Sequence, residues 1–468
     1  MVNWNEEVLK RKEELMKDLF DLIRIESIKD EATKSERHPM GEKIGEALDF
    51  MLRLSEKSGL QTKNVDGYAG HAEYINDPSE ETIGILCHVD VVPATGEWAT
   101  PPFEPTIKDG KLYARGSIDD KGPTMAAFYG LKIVKELGLP LRKNIRIIFG
   151  TDEESGMSCM KYYREVENMP QIGFAPDADF PMINAEKGQM TLQISLPNAT
   201  SETVEYLDLI SFQSGARVNM VPERAVASIT GNGVNELLDE FETFCEKLGV
   251  KRSVKVEENQ AELNVFGVAA HGMEPHVGMN AGTLLASFLA RFEFNRETNS
   301  YLRLLADLHE DFEAKSLNIQ YKDDITGPLT INPGVIKYEK GQESYVQVNV
   351  RCPVTTNYEE TKRTLYQEVE RRGFQVTAYR ESQPHHVDAG HPMIKVLQTV
   401  YQEESGLEPT LLSSGGATYA RFMENGVAFG SCFPGKEMTA HQKDEYIEIE
   451  DLLKATAIYA RAIYELAK

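Results

Sequence analysis

Two adjacent glutamates follow a predicted buried strand near the first third of the chain. The strand is Ile145–Phe149, and Glu153 and Glu154 lie in the turn after it. Two carboxylates are costly to hold close together away from water unless a cation shares them. In a turn their side chains can point toward one centre, so one carboxylate could bind a metal ion while the other handles a proton. A solvated acidic turn is the ordinary alternative.

A histidine and an aspartate follow the preceding predicted strand, Ile83–Cys87. His88 and Asp90 are two residues apart, and in extended structure they face the same side. A carboxylate beside a metal-ligating imidazole can fix the orientation of the ring and raise its basicity. This spacing permits metal binding, and it also fits a polar strand end near a turn.

Three more segments carry residues of the same types, and each has an ordinary explanation by itself. Asp119 precedes a predicted helix and could belong to its N-cap, Asp177 lies in an apparent turn, and His441 could be structural. The segments follow one another in order, each after an apolar stretch, at the edge of the sheet where α/β enzymes place their sites. Two histidines and three carboxylates could hold two divalent ions about 3.5–4 Å apart, with one carboxylate bridging them. One carboxylate then remains to act as a base.

Composition narrows the class of protein. The chain has 468 residues, which favours two or more domains, and a net charge of −24, which argues against binding to nucleic acid or to anionic membranes. Its five cysteines are odd in number and form no C-x-x-C pair, which favours a reducing compartment. With neither a signal peptide nor a long apolar run visible, we expect a cytoplasmic protein without a membrane span.

The elements around these residues predict an α/β fold. Helices are expected at 5–25, 41–58 and Thr124–Leu137, and strands at Ile83–Cys87 and Asn144–Gly150. The middle of the chain predicts one or two smaller α+β units. Their strands are expected at Met190–Leu196, Val226–Ile229, Ala261–Val268, Ser344–Val350 and Gln375–Tyr379, and their helices at Val234–Leu248 and Tyr358–Arg372.

Long helices and short strands return after Pro392. We therefore predict a mixed-sheet α/β catalytic domain formed by residues 1–186 and 385–468. An α+β domain formed by residues 187–384 interrupts it. This arrangement would bring His441 back to the motifs of the first part.

The ordered motifs resemble the co-catalytic di-metal peptidase superfamily of aminoacylases, glutamate carboxypeptidases and dipeptidases. The similarity extends over essentially the whole chain and is greatest to the bacterial PepV-type dipeptidases. Each motif is weak alone, and the ordered set is highly specific. The motifs are His88–Pro93, Gly116–Gly122, Thr151–Glu154, Pro176–Pro181, Ala270–Gly272 and Ser414–Arg421.

The resemblance implies a role for each candidate residue. His88 and Asp177 would bind one ion, Glu154 and His441 would bind the other, and Asp119 would bridge both. Asp90 would orient His88, and Glu153 would be the general base. The resemblance also implies a cis peptide bond between Asp119 and Asp120. Zinc is the expected ion, with manganese or cobalt as alternatives.

The inserted domain would be an enlarged lid that occludes the site within one chain, so we expect a monomer. By resemblance, His271 would stabilise the oxyanion, and Asn219 and Arg351 would contact the substrate. The donor fork of Arg351 suits a terminal carboxylate, although a surface ion pair is the ordinary alternative. Gly415 and Gly416 would let backbone N–H groups approach that carboxylate, and a plain turn is their alternative.

The expected activity is hydrolysis of unblocked dipeptides, with a water shared by two ions attacking the peptide carbonyl. Aspartate rather than glutamate at position 177 is typical of dipeptidases and aminopeptidases in the superfamily, and an enclosing lid would limit the length of the substrate. An N-acyl amino acid deacylase with the same metal chemistry is the alternative enzyme. A non-catalytic binding protein on this fold is the alternative from another class.

Overall fold

The backbone forms two compact units. A computed structural model describes residues 2–77, 81–197 and 206–468. The first unit contains Met1–Ala185, His386–Ser413 and Ala417–Lys468, and the second contains Glu186–His385 with Ser414–Gly416. The mixed α/β class predicted from the sequence is confirmed. The role of the second unit as a lid stays a prediction.

The elements before the insertion alternate between helices and strands. They are α1 Trp4–Leu9, α2 Lys12–Ile23, α3 Glu42–Lys57, β1 Gln61–Val65, β2 Ala69–Tyr74, β3 Thr82–His88, β4 Thr106–Lys108, β5 Lys111–Tyr113, α4 Lys121–Glu136, β6 Asn144–Gly150, α5 Ser158–Val166, β7 Ile172–Ala175, β8 Ala178–Asp179 and β9 Ile183–Glu186.

The insertion is richer in strands. Its elements are β10 Gly188–Leu196, β11 Asp208–Ser214, β12 Arg224–Thr230, α6 Val234–Leu248, β13 Lys251–Glu257, β14 Gln260–Phe266, α7 Ala281–Leu289, α8 Arg296–Asp307, β15 Lys322–Asp323, β16 Gly327–Pro328, β17 Thr330–Glu339, β18 Ser344–Cys352, α9 Tyr358–Arg371 and β19 Gln375–Ser382. The next strand, β20 His385–His386, joins the large sheet of the first unit.

The last part of the chain completes the first unit. It contains α10 Pro392–Ser405, β21 Leu412–Ser414, β22 Asn425–Ala428, β23 Ser431–Cys432, β24 Tyr446–Glu448 and α11 Ile449–Ala467. Single 3-10 turns lie at Glu31–Thr33, Pro275–Val277, Lys315–Leu317 and Tyr419–Phe422.

The large sheet of the first unit has its parallel strands at the centre. Its central order is β1-β2-β6-β3-β7-β22-β9, and β3 is parallel to both β6 and β7. Alternate residues of β3 face opposite sides: Ile85 packs with α4 and α11, whereas Leu86 packs in a smaller cluster with α5. A parallel strand buried on both faces needs an almost continuous apolar run, and β3 has one up to His88.

The second unit is built on one antiparallel sheet with the order β13-β14-β12-β11-β17-β18-β10-β19. Its core joins the apolar faces of these strands to helices α6, α7, α8 and α9. This sheet is continuous from β13 to β19. The domain bounds expected from the sequence, and the number of lobes in the insertion, stay predictions.

Two predicted helix boundaries were wrong. The helix expected at 5–25 is divided, because the Arg11 guanidinium donates to the carbonyl oxygen of Glu7 at 2.8 Å. The Arg11 backbone N–H bonds instead to the carbonyl of Val8. Helix α4 begins at Lys121, three residues before the expected Thr124, and Asp120 lies at its N-cap position.

The periodicity analysis also missed several elements: β1, β2, β11, β13, β17, α7 and α8. Among the described residues, no helix has the combination of length and apolar character needed to cross a bilayer.

Helices α4 and α11 pack closely enough to require a glycine between them. A Cβ at Gly130 would lie 2.9 Å from the backbone nitrogen of Ala460. We expect Gly130→Ala to lower the free energy of unfolding by about 1–3 kcal/mol through overpacking. An exposed helical glycine replaced by alanine would instead gain stability.

Denaturant unfolding of the variant against the parent chain measures this effect. Arg53→Ala, on the exposed face of α3, is the control and should leave the midpoint nearly unchanged. An unchanged or higher midpoint for Gly130→Ala would contradict the packing argument.

Candidate active site

The carboxyl ends of three neighbouring parallel strands carry three of the predicted residues. His88 is the last residue of β3 and lies in register with Gly150 at the end of β6. Glu153 follows β6, and Asp177 follows β7. Since parallel strands end at the same edge of a sheet, these side chains meet there.

The imidazole of His88 is buried and faces two carboxylates. Its Nε2 lies 3.1 Å from Asp119 Oδ1 and 3.7 Å from Asp177 Oδ2. On the other side of the ring, Nδ1 lies 2.9 Å from the backbone carbonyl oxygen of Asp90. With Nδ1 donating to that carbonyl, Nε2 is directed at the carboxylates and can bind a cation.

The carboxylate of Asp90 has a broader role than the sequence predicted. It lies 3.5 Å from His88 Nδ1, so it contributes only part of the hold on the ring. Its two oxygens accept hydrogen bonds from the backbone N–H groups of Glu153 and Glu154, each at 3.1 Å. Asp90 therefore fixes the turn that presents both glutamates.

The His441 side chain joins this cluster from a loop before β24. Its Nε2 lies 3.0 Å from Asp119 Oδ2 and 2.9 Å from Glu154 Oε2. His441 has a left-handed backbone with φ of 65°, and its side chain remains 55% exposed. Asp119 thus lies between two histidines, with one carboxylate oxygen facing each of them.

The neighbouring Asp120 ties β3 to α4 instead of facing the histidines. The peptide bond between Asp119 and Asp120 is cis, which confirms that expectation. Asp120 Oδ2 accepts hydrogen bonds from the backbone N–H of His88 at 3.1 Å and from Thr124 Oγ1 at 2.9 Å. The two aspartates therefore point to different partners across one peptide bond.

Burial and the concentration of charge shift the pKa values in this cluster. Burial raises the pKa of Glu153 well above its usual value, and the nearby carboxylates of Glu154 and Asp119 add to this effect. Burial also raises the pKa of Asp177. Burial alone would lower the pKa of His441, but hydrogen bonds to Asp119 and Glu154 outweigh it and raise that pKa to about 11.

The pKa of His88 shifts in the same direction for the same reason. Burial opposes the imidazolium form, but Asp119 and Asp90 stabilise it and raise the pKa well above the usual value. Asp119 shows the complementary effect: burial would raise its pKa, but hydrogen bonds to His441 and His88 lower it. The carboxylates around the two histidines thus favour the positively charged form of each ring.

The donor set fits divalent metal ions. Two groups of potential ligand atoms each lie within 4.8 Å of one another, namely His88 with Glu153 and Asp177, and His88 with Asp119 and Glu154. Glu154 Oε1 is buried and has no hydrogen-bond partner among the described residues. Imidazole nitrogens and carboxylate oxygens are the ligands of zinc and of similar ions.

The second unit brings its own predicted residues into one neighbourhood. The backbone N–H of Gly272 donates to Asn219 O at 2.7 Å, and the residue after Asn219, Met220, forms a β-bridge with His271. Arg351 is buried and donates to Gly415 O at 2.7 Å.

Two further contacts define this neighbourhood. A Cβ at Gly415 would lie 2.8 Å from the side chain of Met273, two residues after His271. Gly416 N–H donates to Ser414 Oγ at 2.8 Å, as in a turn. The roles of these residues, and of the predicted metal ligands and base, stay predictions.

Several buried residues around the site escaped the sequence analysis. Glu445 accepts hydrogen bonds from the backbone beside Asp119 and pairs with buried Arg115. The hydroxyl of Tyr419 accepts from the backbone N–H of Asp152 at 3.4 Å, and it can approach because Gly150 has no side chain. In the sequence, only their position near the motifs distinguishes these residues, since charged and aromatic residues are common in surface loops.

Comparisons with known proteins place this arrangement in a family. The family described as Peptidase family M20/M25/M40 matches residues 84–465. A protein of Bacillus subtilis (strain 168), named "Putative dipeptidase YtjP", is 46% identical over 468 residues, covering 100% of both chains. These findings confirm the resemblance drawn from the motifs.

Solved structures show the same fold. The M20 family metallo-carboxypeptidase Sso-CP2 from Sulfolobus solfataricus has a TM-score of 0.59 at 16% identity, covering 97% of this chain and 99% of that one. Human carnosine dipeptidase 1 has a TM-score of 0.57 at 16% identity, covering 99% and 98%.

The raised pKa values of His88 and His441 predict proton-linked metal binding. Their protons must leave before the ring nitrogens can bind an ion, so metal uptake should release protons. Because fewer protons must be displaced as the pH approaches these raised pKa values, the apparent affinity should increase with pH.

Calorimetric titration of the metal-free protein with zinc, in two buffers of different ionisation enthalpy, counts the protons. His441→Asn should release fewer protons than the parent chain. Metal binding without proton release, or with an affinity that falls as the pH rises, would contradict this prediction.

Proposed function

The chain belongs to Peptidase family M20/M25/M40 and is a metallopeptidase, and we propose that it is a dipeptidase hydrolysing unblocked dipeptides with two divalent metal ions. The observation that carries the proposal is the position of Asp119, whose two oxygens face Nε2 of His88 and Nε2 of His441. A carboxylate shared by two metal-ligating histidines is what a bridged pair of ions requires.

These contacts support the ligand sets that the resemblance implies. His88 and Asp177 would hold one ion, Glu154 and His441 the other, and Asp119 both. Zinc suits these nitrogen and oxygen donors, and manganese or cobalt would also suit them. When bound, the ions would polarise the substrate carbonyl and lower the pKa of a water that they share.

Glu153 is the proposed proton carrier. Burial raises its pKa well above the usual value, as a group that must both accept and release a proton requires. Its backbone is fixed by Asp90. Glu153 would take a proton from the attacking water and deliver it to the leaving amine.

The choice of a dipeptide as substrate rests on similarity. Aspartate at position 177 is typical of dipeptidases in the superfamily, and the Bacillus subtilis relative carries the dipeptidase name. In the second unit, His271 would stabilise the oxyanion. Arg351 with Asn219, Gly415 and Gly416 would bind the substrate, with Arg351 directed at its terminal carboxylate.

The proposal also covers the oligomeric state and the cellular compartment. We propose that residues 187–384 act as the lid of a monomer. The described cysteines are all free and buried, which supports a reducing, cytoplasmic setting.

Substrate and metal dependence can be tested in one assay. The purified chain is given an unblocked dipeptide and its N-acetylated analogue, after chelation and after zinc, manganese or cobalt is added back. We expect cleavage of the free dipeptide only, restored by metal. Cleavage of the acetylated compound alone would move the assignment to an N-acyl amino acid deacylase, and no cleavage of either would contradict the dipeptidase proposal.

Removal of the proposed base should separate catalysis from metal binding. We expect Glu153→Gln to lower kcat by about 10²–10⁴-fold, the usual contribution of a general base. Zinc should still bind, because the predicted metal ligands are unchanged.

Steady-state kinetics and zinc titration of the same preparation measure the two effects. Glu165→Gln, at an exposed position of α5, is the matched control. Near-normal kcat in Glu153→Gln would rule out this role for Glu153.

A further inference from the structure

A fully buried carboxylate lies directly behind the predicted metal ligands. Glu445 Oε1 accepts hydrogen bonds from the backbone N–H groups of Ile118 at 3.0 Å and Asp119 at 3.3 Å. Glu445 Oε2 accepts from the guanidinium of Arg115, which is itself only 2% exposed. The carboxylate therefore binds both ends of the segment 115–119: the side chain of Arg115 and the backbone of Ile118 and Asp119.

The same residue belongs to the loop that carries His441. The backbone carbonyl oxygen of Glu445 accepts from Ala114 N–H at 3.0 Å. The loop is closed on itself by Thr439, whose hydroxyl bonds to both the N–H and the carbonyl of Tyr446. Glu445 thus joins the His441 loop to the Asp119 segment through its side chain and its backbone.

His441 needs such support more than the other predicted ligands. His88 is completely buried at a strand end, whereas the His441 side chain is 55% exposed. The distance between His441 Nε2 and Asp119 Oδ2 therefore depends on how their two loops are held together.

We propose that Glu445, anchored by Arg115, is a positioning residue that sets the spacing between Asp119 and His441 and so the affinity of the ion held by His441 and Glu154. This inference rests on the proposed di-metal site. Glu445 itself contacts no predicted ligand side chain; it acts through the backbone of Asp119 and through the loop of His441. Groups that orient metal ligands indirectly typically change metal affinity by about 10–100-fold when they are removed.

A merely structural ion pair would have a different signature. It would lower the stability of the fold and leave metal affinity in the folded protein unchanged. The Arg146–Glu73 pair offers this comparison, because it joins β6 to β2 in the same unit with side chains only 14% and 18% exposed. It contacts none of the metal-ligand loops, so Glu73→Gln is the matched control.

Two variants test the inference. Glu445→Gln removes the charge that pairs with Arg115, and Glu445→Asp keeps that charge but is one methylene too short to reach both Arg115 and the Ile118 amide. Glu445→Asp keeps a carboxylate near the buried guanidinium of Arg115. It therefore remains informative if Glu445→Gln does not fold. The metal-free full-length chain and each variant are titrated with zinc and with manganese by calorimetry, and kcat and KM are measured after reconstitution.

We expect the parent chain to bind two ions. In the Glu445 variants, one of the two binding steps should weaken by about 10–100-fold and the other should stay unchanged. Raising the metal concentration should then restore kcat with little change in KM, and Glu73→Gln should bind both ions as the parent does. Variants that bind both ions like the parent would overturn the role of Glu445, whatever their thermal stability. A parent chain that binds no ions would instead overturn the proposed di-metal site.

Discussion

The crowding of carboxylates at one end of the central sheet is the constraint on which the rest of this structure depends. Asp119, Glu153, Glu154 and Asp177 lie within a few ångströms of two histidines, in surroundings largely closed to water. Carboxylates packed this closely repel one another and lose hydration, so positive charge must be supplied. Protonated His88 and His441 can supply part of it, and divalent ions at the same positions would supply more.

Backbone hydrogen bonds hold this unfavourable group of charges in place. Three buried acidic residues, Asp90, Asp120 and Glu445, direct their carboxylates at backbone N–H groups. Asp90 fixes the turn of the glutamates, Asp120 joins the end of β3 to the start of α4, and Glu445 grips the Asp119 segment. In the structure these three residues arrange the predicted ligands. A carboxylate that accepts N–H donors leaves its neighbours free to face a cation.

Much of the site could be predicted from the sequence, because its chemistry is carried by short motifs after apolar strands. Buried strand ends with a following polar residue, such as His88 and the Glu153–Glu154 turn, are visible as local patterns. The Arg115–Glu445 pair was not visible, because the two residues are far apart in sequence and their burial depends on tertiary packing. The break in the first helix was missed for a different, local reason, since the Arg11 side chain competes there for the backbone carbonyl of Glu7. Resemblance to a family supplied the roles that local patterns alone left open.

The two halves of the predicted metal site differ in what supports them. His88 and Asp177 follow neighbouring parallel strands, so the sheet itself fixes the direction in which they emerge. His441 comes from a loop with a left-handed backbone at this residue and substantial exposure, and its ring contacts Asp119 and Glu154. Glu445 joins that loop to the segment of Asp119. The sheet can preform one half whatever the state of the loops, whereas the other half requires the buried Arg115–Glu445 pair to stay intact. Removal of either Arg115 or Glu445 would leave the other charge buried and uncompensated. The order of the His441 loop and the geometry of the second half therefore both depend on this pair.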